Sequence, residues 1–159
     1  RHQEYSGVSQ EYFDQDTNTK YIPYIIESTY GLDRSVLAVL FNSYHKEEVD
    51  GEIREVMKFH PFLAPYKVTV LPLIKKYHGE KATEIYHNLQ KSFMCSYDEA
   101  GNIGKRYRRS DVIGTPFAIT IDDDTLNHNT VTVRDRDTME QVVIPLNEVE
   151  DYISSRIKF

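Results

Sequence analysis

Cysteine is almost absent from this 159-residue sequence, because Cys95 is the only one. A single thiol excludes a disulfide within the chain and any zinc site built from several cysteines. One unpaired cysteine also suits a reducing compartment, so we expect a cytoplasmic protein. No stretch approaches the roughly 20 apolar residues that a membrane-spanning helix needs. No basic segment followed by an apolar one opens the chain, so we expect neither a membrane anchor nor a signal peptide.

An excess of positive charge is also lacking. The 19 lysines and arginines are outnumbered by 25 acidic residues, for a net charge of −6. Proteins that bind nucleic acid mainly through its phosphates are usually basic overall. The positive charge is instead local, in segment 103–117, which holds four cations and one acid: Lys105, Arg106, Arg108, Arg109 and Asp111. A basic patch on an acidic body favours recognition of a defined nucleic-acid element, and the alternative is a solvated, salt-bridged helix face.

The N-terminal part, residues 1–47, is predicted to be an incomplete fold. Segments 11–13 and 21–26 are predicted strands joined by a polar turn. Leu37, Leu40, Phe41 and Tyr44 follow at the spacing of one helix face. A hairpin and one helix bury too little surface to be stable alone, so we expect a piece of a larger domain. Segment 48–64, which is charged, contains Pro61 and is followed by Pro65, is predicted to be an extended linker.

The C-terminal part, residues 65–159, is predicted to be a complete α/β fold. Its predicted strands are 67–73, 94–98, 116–121, 130–134 and 139–144, and its predicted helices are 80–93, 104–113 and a last one through 146–157. Gly114 is placed to end the second of these helices. The order β-α-β-α-β-β-β-α predicts a mixed sheet flanked by helices. Residues 122–124, three consecutive aspartates, are predicted to be a solvated turn, and we expect no metal site there.

Two stretches resemble one enzyme family. Residues 21–34 read Tyr-Ile-Pro-Tyr-Ile-Ile-Glu-Ser-Thr-Tyr-Gly-Leu-Asp-Arg. They resemble the third signature motif of class II aminoacyl-tRNA synthetases, in the form found in glycyl-tRNA synthetases. Residues 104–121 and 130–137 are similar to the anticodon-binding domain of the same enzymes. The resemblance implies that residues 1–47 are a strand–helix remnant of the antiparallel class II catalytic domain, and that residues 65–159 are the anticodon-binding domain.

The motif resemblance implies an amino-acid and nucleotide site. Glu27 stands where the family contacts the ammonium group of glycine, and Thr29 keeps the hydroxyl that contacts the amino acid. Gly31 matches the family glycine that lets the backbone pass close to the site, and Arg34 matches the arginine that binds ATP phosphate. A guanidinium suits that role because it offers several planar donors to phosphate oxygens. An ordinary structural salt bridge between Glu27 and Arg34 is the alternative.

The second block suggests how a tRNA anticodon could be read. Unpaired loop bases are recognised through base-edge hydrogen bonds, stacking and phosphate contacts. The candidate anticodon-binding residues are Arg106, Arg108, Arg109, Asp111, Phe117, Arg134 and Arg136. Glycine anticodons end in two cytosines, whose exocyclic amines suit carboxylate acceptors beside arginines. The alternatives are that Phe117 and the neighbouring Tyr107 belong to the core, and that Arg134 and Arg136 form cross-strand salt bridges.

The resemblance implies a glycine–tRNA ligase as the full-length protein, a homodimer that uses ATP and Mg²⁺ to attach glycine to tRNA(Gly). The second signature motif is missing from these residues, so we expect this chain to bind the anticodon, to contribute no catalytic group and not to activate glycine. One alternative is a non-catalytic module of the same domain family, such as an accessory subunit of the mitochondrial DNA polymerase. Another is a different class II synthetase, such as those for histidine, threonine or proline.

Overall fold

A computed structural model describes residues 1–158. The chain divides into two compact units, Arg1–Arg34 and the residues from Ser35 onward. This division lies earlier in the chain than the predicted end of the first part at residue 47. The helix that was predicted to close the first part in fact spans the division.

The first unit contains a short helix and a two-stranded hairpin. Helix α1 is His2–Ser6, and strands β1 (Tyr12–Asp14) and β2 (Thr19–Tyr21) pair antiparallel. The hairpin was predicted, but its second strand ends at Tyr21 rather than at residue 26. Pro23 lacks the N–H that a continued strand would donate. Helix α2 then begins at Leu32 and ends at Ser43.

After α2, the second unit continues with a hairpin that the sequence analysis missed. Strand β3 (Tyr44–Val49) follows α2 directly and pairs antiparallel with β4 (Glu52–Met57). Asp50 and Gly51 both have positive φ, 53° and 78°, as the two central residues of a type I′ turn require. The prediction of a linker over residues 48–64 is therefore wrong. The Asp50-Gly51 pair is a typical signal of a hairpin turn. The charged residues on both sides of it favoured the interpretation as a linker.

The remaining elements include the five predicted strands and three predicted helices in the predicted order, with an additional short helix between the third and fourth of these strands, and the first of these helices begins at Lys75 rather than at residue 80. In chain order they are β5 (Val68–Pro72), α3 (Lys75–Leu89), β6 (Cys95–Tyr97), α4 (Ile103–Val112), β7 (Phe117–Ile121), α5 (Asp123–His128), β8 (Thr130–Asp135), β9 (Gln141–Pro145), a 3₁₀ turn (Leu146–Glu148) and α6 (Val149–Arg156). Among the described residues, the sheet has the strand order β6-β5-β7-β8-β9. Strand β5 is parallel to β6 and β7, whereas β7–β8 and β8–β9 are antiparallel.

Residues 122–124, predicted to be a solvated turn, instead begin helix α5. Asp122 is the N-cap residue, and its side chain accepts a hydrogen bond from the backbone N–H of Thr125 at 3.1 Å. Thr125 returns a hydroxyl contact to the N-cap, which completes a capping box. The aspartates are therefore explained by helix initiation, where acidic residues are favoured by the helix dipole.

The two faces of the five-stranded sheet differ in chemistry. Val68 and Val70 point into the hydrophobic core, and Thr69 points to the opposite face because strand side chains alternate. The Thr69 hydroxyl lies 2.7 Å from that of Ser96 and 3.0 Å from that of Ser110, which is on α4. Helix α4 therefore packs on a polar layer, while the apolar core fills the other side of the sheet.

Candidate nucleic-acid interface

A buried group of charges joins α4 to the two neighbouring elements, β4 and β8. The carboxylate of Asp111 accepts a hydrogen bond from Arg54 Nε at 2.9 Å and from Arg134 Nη1 at 2.9 Å. All three residues are buried, with Arg54 at 0% and Asp111 at 1% exposure. A shared carboxylate between two guanidinium groups is a strong, directional arrangement. Asp111, Arg54 and Arg134 thus fix the position of α4 rather than face solvent.

Arg54 uses every nitrogen of its guanidinium group. Its Nη1 donates to Glu47 at 2.8 Å, and its Nη2 donates to the carbonyl of Arg136 at 2.5 Å. Burial lowers the pKa of Arg54, but the hydrogen bonds and attraction of Asp111 and Glu47 raise it overall. A hydrogen bond from Lys58 holds the pKa of Glu47 below its usual range, although burial opposes this, and Arg54 adds to the effect. Both members of the Arg54–Glu47 pair are therefore charged at neutral pH.

Two further predicted anticodon contacts hold backbone carbonyls. Arg136 is 2% exposed and donates to the carbonyls of Gly114 at 2.8 Å and Phe59 at 2.7 Å. Arg106 is 4% exposed and donates to the carbonyl of Pro72 and, at 2.6 Å, to that of Gly101. Guanidinium groups engaged in this way stitch loops together and offer no free donor at the surface.

The aromatic candidates also lie mainly inside the molecule. Phe117 is 2% exposed and belongs to the hydrophobic core, with its ring edge-on to Tyr152. Tyr107 is half-buried, and its hydroxyl lies 2.6 Å from that of Thr120. The Arg134 guanidinium sits 4.9 Å from the centre of the Tyr107 ring. The half-buried Tyr107 therefore completes the packing around Arg134.

These positions correct part of the predicted anticodon site. The expectation that Arg106, Asp111, Phe117, Arg134 and Arg136 offer groups to RNA is wrong for this structure, because all five side chains are buried. The sequence pattern marked them as a charged and aromatic cluster, and that cluster is the internal framework of the domain. The alternative of a cross-strand salt bridge weighed for Arg134 is wrong, because Arg134 pairs with Asp111 on the helix α4.

Within segment 103–117, the cations that remain accessible lie together on α4. Lys105 is exposed, Arg108 is half-buried, and the Arg109 side chain is 49% exposed. Within residues 1–158, Arg108 has no hydrogen-bond or ion-pair partner. Arg109 forms an ion pair with Asp98 at 2.6 Å and donates to the carbonyl of Ala100 at 2.6 Å. Asp98 and Arg109 thus present a carboxylate next to a guanidinium at the edge of this surface, which we call the α4 cation surface (Asp98, Lys105, Arg108 and Arg109).

The start of α4 is well defined. The side chain of its N-cap residue Asn102 accepts a hydrogen bond from the backbone N–H of Lys105 at 2.9 Å. An N-cap of this kind stabilises the first helical turn. The α4 cation surface is therefore carried by a helix that is capped at one end and anchored through Asp111 near the other.

In the first unit, the predicted amino-acid and nucleotide residues are all exposed. The hydroxyl of Thr29 donates to the carboxylate of Glu27 at 3.2 Å, which brings the two predicted glycine contacts together. Arg34 lies in the first turn of α2 and Gly31 just precedes that helix. A carboxylate with a neighbouring hydroxyl suits an ammonium group, and an arginine at a helix start suits a phosphate. The roles of these four residues remain predictions.

The described residues contain neither a cluster of side chains that could hold a metal ion nor a helix long and apolar enough to cross a membrane. Cys95 is a buried free thiol, and burial raises its pKa to about 11. A thiol with so high a pKa is mostly protonated at neutral pH and a poor nucleophile. Cys95 is therefore a small core residue.

Comparison with known protein families identifies the second unit. The family described as "Anticodon binding domain" matches residues 67–156, more than half of the chain. The chain belongs to that family. The match begins one residue before β5 and ends with α6, so the anticodon-binding domain comprises the five-stranded sheet and its helices.

Relatives extend the likeness over the full chain. A glycine–tRNA ligase of Clostridium kluyveri is 52% identical over 100% of this chain, and one of Bacillus cereus is 50% identical over 100% of it. The chain spans about a third of the length of these curated relatives, 34% in both cases. The resemblance to glycyl-tRNA synthetases is therefore confirmed.

A solved structure supports the fold of the anticodon-binding domain. The RNA-binding domain of a threonyl-tRNA synthetase from Cryptosporidium parvum superposes with a TM-score of 0.57 at 27% identity. The superposition covers 62% of this chain and 25% of that one. The predicted mixed sheet flanked by helices is confirmed.

The sequence analysis missed Arg54, which lies outside the matched range yet touches the centre of the domain. A weak signal was present, because Arg54 and Val56 alternate with exposed residues along β4 and so mark one inward face. The separation of 57 positions between Arg54 and Asp111 leaves no local trace of their contact.

Proposed function

We propose that the second unit binds the anticodon loop of a tRNA through the α4 cation surface. The carrying observation is that Arg108 and Arg109 face outward from a helix whose inner side is fixed by the buried Asp111. Guanidinium groups carried on a fixed helix can contact phosphates and stack on unpaired bases. The overall negative charge confines this attraction to one surface and favours a defined RNA element.

The RNA is a glycine tRNA in this proposal. The identity of about half of all residues to glycine–tRNA ligases supports it. The Asp98–Arg109 pair fits the chemistry of the anticodon, because a carboxylate accepts from the exocyclic amine of cytosine while a guanidinium donates to its carbonyl. Asp98 thereby takes the acceptor role that the sequence analysis gave to the buried Asp111.

The longer protein is, in this proposal, a cytoplasmic, homodimeric glycine–tRNA ligase. Glu27 and Thr29 contact the ammonium group of glycine, and Arg34, next to Gly31, contacts a phosphate of ATP. ATP with Mg²⁺ supplies the activation of the glycine carboxylate. In support, these residues stand in the order of the class II motif, and Thr29 already lies within hydrogen-bond distance of Glu27. The buried, reduced Cys95 suits a reducing compartment.

The test measures binding of the 159-residue chain to an anticodon stem-loop RNA with cytosines at the second and third anticodon positions. We expect salt-sensitive binding, and we expect Arg108→Ala to weaken it by about 1–3 kcal/mol. The loss arises because Arg108 has no protein partner within the described residues to compete with the RNA. Fluorescence anisotropy at two salt concentrations gives Kd and its salt dependence.

The matched control is Arg156→Ala, which removes the same charge from α6. The Arg156 guanidinium lies over the Tyr152 ring at 3.6 Å from its centre, away from α4. Equal losses for Arg108→Ala and Arg156→Ala would show general attraction to RNA and discard the α4 cation surface as the contact. Equal affinity for a threonine or histidine tRNA stem-loop would favour another class II synthetase, and equal affinity for a DNA hairpin would favour a general binding module.

A further inference from the structure

The hairpin of β3 and β4 lies outside residues 67–156, the range shared with the anticodon-binding family, yet it packs directly on α4. Its contact is made by a charged side chain, Arg54, which is completely buried. A buried arginine is costly to desolvate and is retained only where its hydrogen bonds are satisfied. Here Asp111, Glu47 and the carbonyl of Arg136 satisfy them.

Arg54 connects helix α4 to strand β8. Through Nε it holds Asp111 on α4, and through Nη2 it holds the end of β8 at the carbonyl of Arg136. The same Asp111 carboxylate receives Arg134 from β8 at 2.9 and 3.3 Å. The rotation of α4 about its axis is therefore set by the Asp111 carboxylate, which is hydrogen-bonded by Arg54 and by Arg134.

That rotation determines where Arg108 points, because Arg108 precedes Asp111 by three positions and lies less than one turn away. Arg54 is 0% exposed and cannot itself contact RNA. Any effect that it has on binding is therefore indirect, and an effect through α4 must depend on the cations that α4 carries.

We propose that Arg54 is a positioning residue for RNA binding, and that the β3–β4 hairpin is a working part of the anticodon-binding unit. The inference rests on the proposed function of the α4 cation surface. The hairpin holds α4 in the orientation in which Arg108 and Arg109 engage the RNA together. A domain without the Arg54–Asp111 contact keeps its sheet, but its α4 presents Arg108 and Arg109 in several orientations.

The test is a double-mutant cycle on the 159-residue chain, with Kd for the glycine anticodon stem-loop as the readout. Arg54→Lys retains the charge but cannot reach Asp111, Glu47 and the Arg136 carbonyl at once. We expect it to weaken binding by about 3- to 30-fold. In the Arg108→Ala background only Arg109 remains to be positioned, so we expect the same substitution to weaken binding by a factor that is smaller by more than about twofold, the limit of additive behaviour.

A purely structural role predicts something different. Arg54→Lys would then lower stability, while Kd per folded molecule would stay unchanged or would change by the same factor in both backgrounds. Either result overturns the inference. Ile153→Val serves as the stability control, because Ile153 is buried in the core on the other side of the sheet, and we expect it to reduce stability without changing Kd.

A second variant keeps the test open if Arg54→Lys does not fold. Glu47→Gln removes the charge of one partner of Arg54 at a half-buried position, and we expect a smaller loss of binding that again diminishes in the Arg108→Ala background. Loss without that dependence, or no loss, counts against the inference. A failure of the proposed function itself looks different, because the unmodified protein would then not bind the stem-loop, or Arg108→Ala would bind as well as it.

Discussion

At the scale of single residues, the main feature is that arginines close together in the sequence differ in burial and in role. Arg106 is buried against backbone carbonyls, whereas Arg108 and Arg109 are accessible on the same helix. The helical period of 3.6 residues places successive side chains on different faces. A run that looks uniformly basic therefore contains both framework and surface residues.

The buried Asp111 carboxylate is expected to be the most sensitive polar position. Asp111→Asn would remove the carboxylate charge that Arg134 pairs with and would leave Arg54 with the charge of Glu47 alone. We expect it to lower the free energy of unfolding by about 3–5 kcal/mol, the usual cost of breaking a buried ion pair on one side. Urea denaturation followed by circular dichroism measures the change.

Asp151→Asn is the control for that experiment, because Asp151 is exposed in the first turn of α6. We expect it to cost no more than about 1 kcal/mol, the range of helix-dipole effects. If both variants unfolded at the urea concentration of the unmodified protein, Asp111 would not organise the charges around it.

At the scale of elements, the end of α4 is shaped by the hairpin as well as by its own sequence. Gly114 has a φ of 80°, and its N–H donates to the carbonyl of Asp111 at 3.1 Å. The prediction that Gly114 ends this helix is confirmed. The sequence predicted a helix end at this glycine because only glycine adopts the left-handed backbone conformation without a steric cost. The contact of Gly114 with the segment around the end of β4 could not be predicted from the sequence.

Gly114→Ala is expected to separate these two roles of the glycine. The added Cβ would lie 2.9 Å from the carbonyl oxygen of Met57 and would overlap the ring of Phe59. We expect a loss of stability of about 1–3 kcal/mol from overpacking, beyond the backbone strain. Thermal and urea unfolding report the loss.

Gly101→Ala is the control that measures the backbone strain without overpacking. Gly101 has a φ of 73°, but nothing lies within 4 Å of the position of an added Cβ. We expect about 1–2 kcal/mol for this variant, the cost of left-handed backbone for an L-residue. If Gly114→Ala cost no more than Gly101→Ala, the segment 57–59 would not be packed tightly on the end of α4.

At the scale of the molecule, the structural unit is larger than the range that defines the family. Residues from Ser35 onward cluster together, and the hairpin and the segment after it supply Arg54, Val56 and Phe59 as buried residues. Parallel strands β5, β6 and β7 place α4 on the face opposite the core, where the hairpin covers it. The chain before residue 67 therefore completes the domain.

Truncation is expected to show this directly. A chain of residues 35–159 should unfold with the stability of the second unit in the full chain, because it keeps the sheet, α4 and the hairpin. A chain of residues 65–159 should be less stable by at least about 3 kcal/mol, since Asp111 loses one of its two arginines. Urea denaturation of the three chains measures the difference, and equal stability of the two truncated chains would contradict it.

The amino-acid sequence by itself determined the family, the order of the five sheet strands and of α3, α4 and α6, the end of α4 at Gly114 and the basic character of α4. These properties are encoded in neighbouring residues, through apolar periodicity, turn-forming residues and two motif-like blocks. Only the tertiary structure decided which arginines are surface and which are framework, and that residues 44–57 belong to the domain. The physical reason is that a charged side chain is buried only when its partners arrive from elsewhere, and Arg54 meets its partners 57 and 82 positions further along the chain.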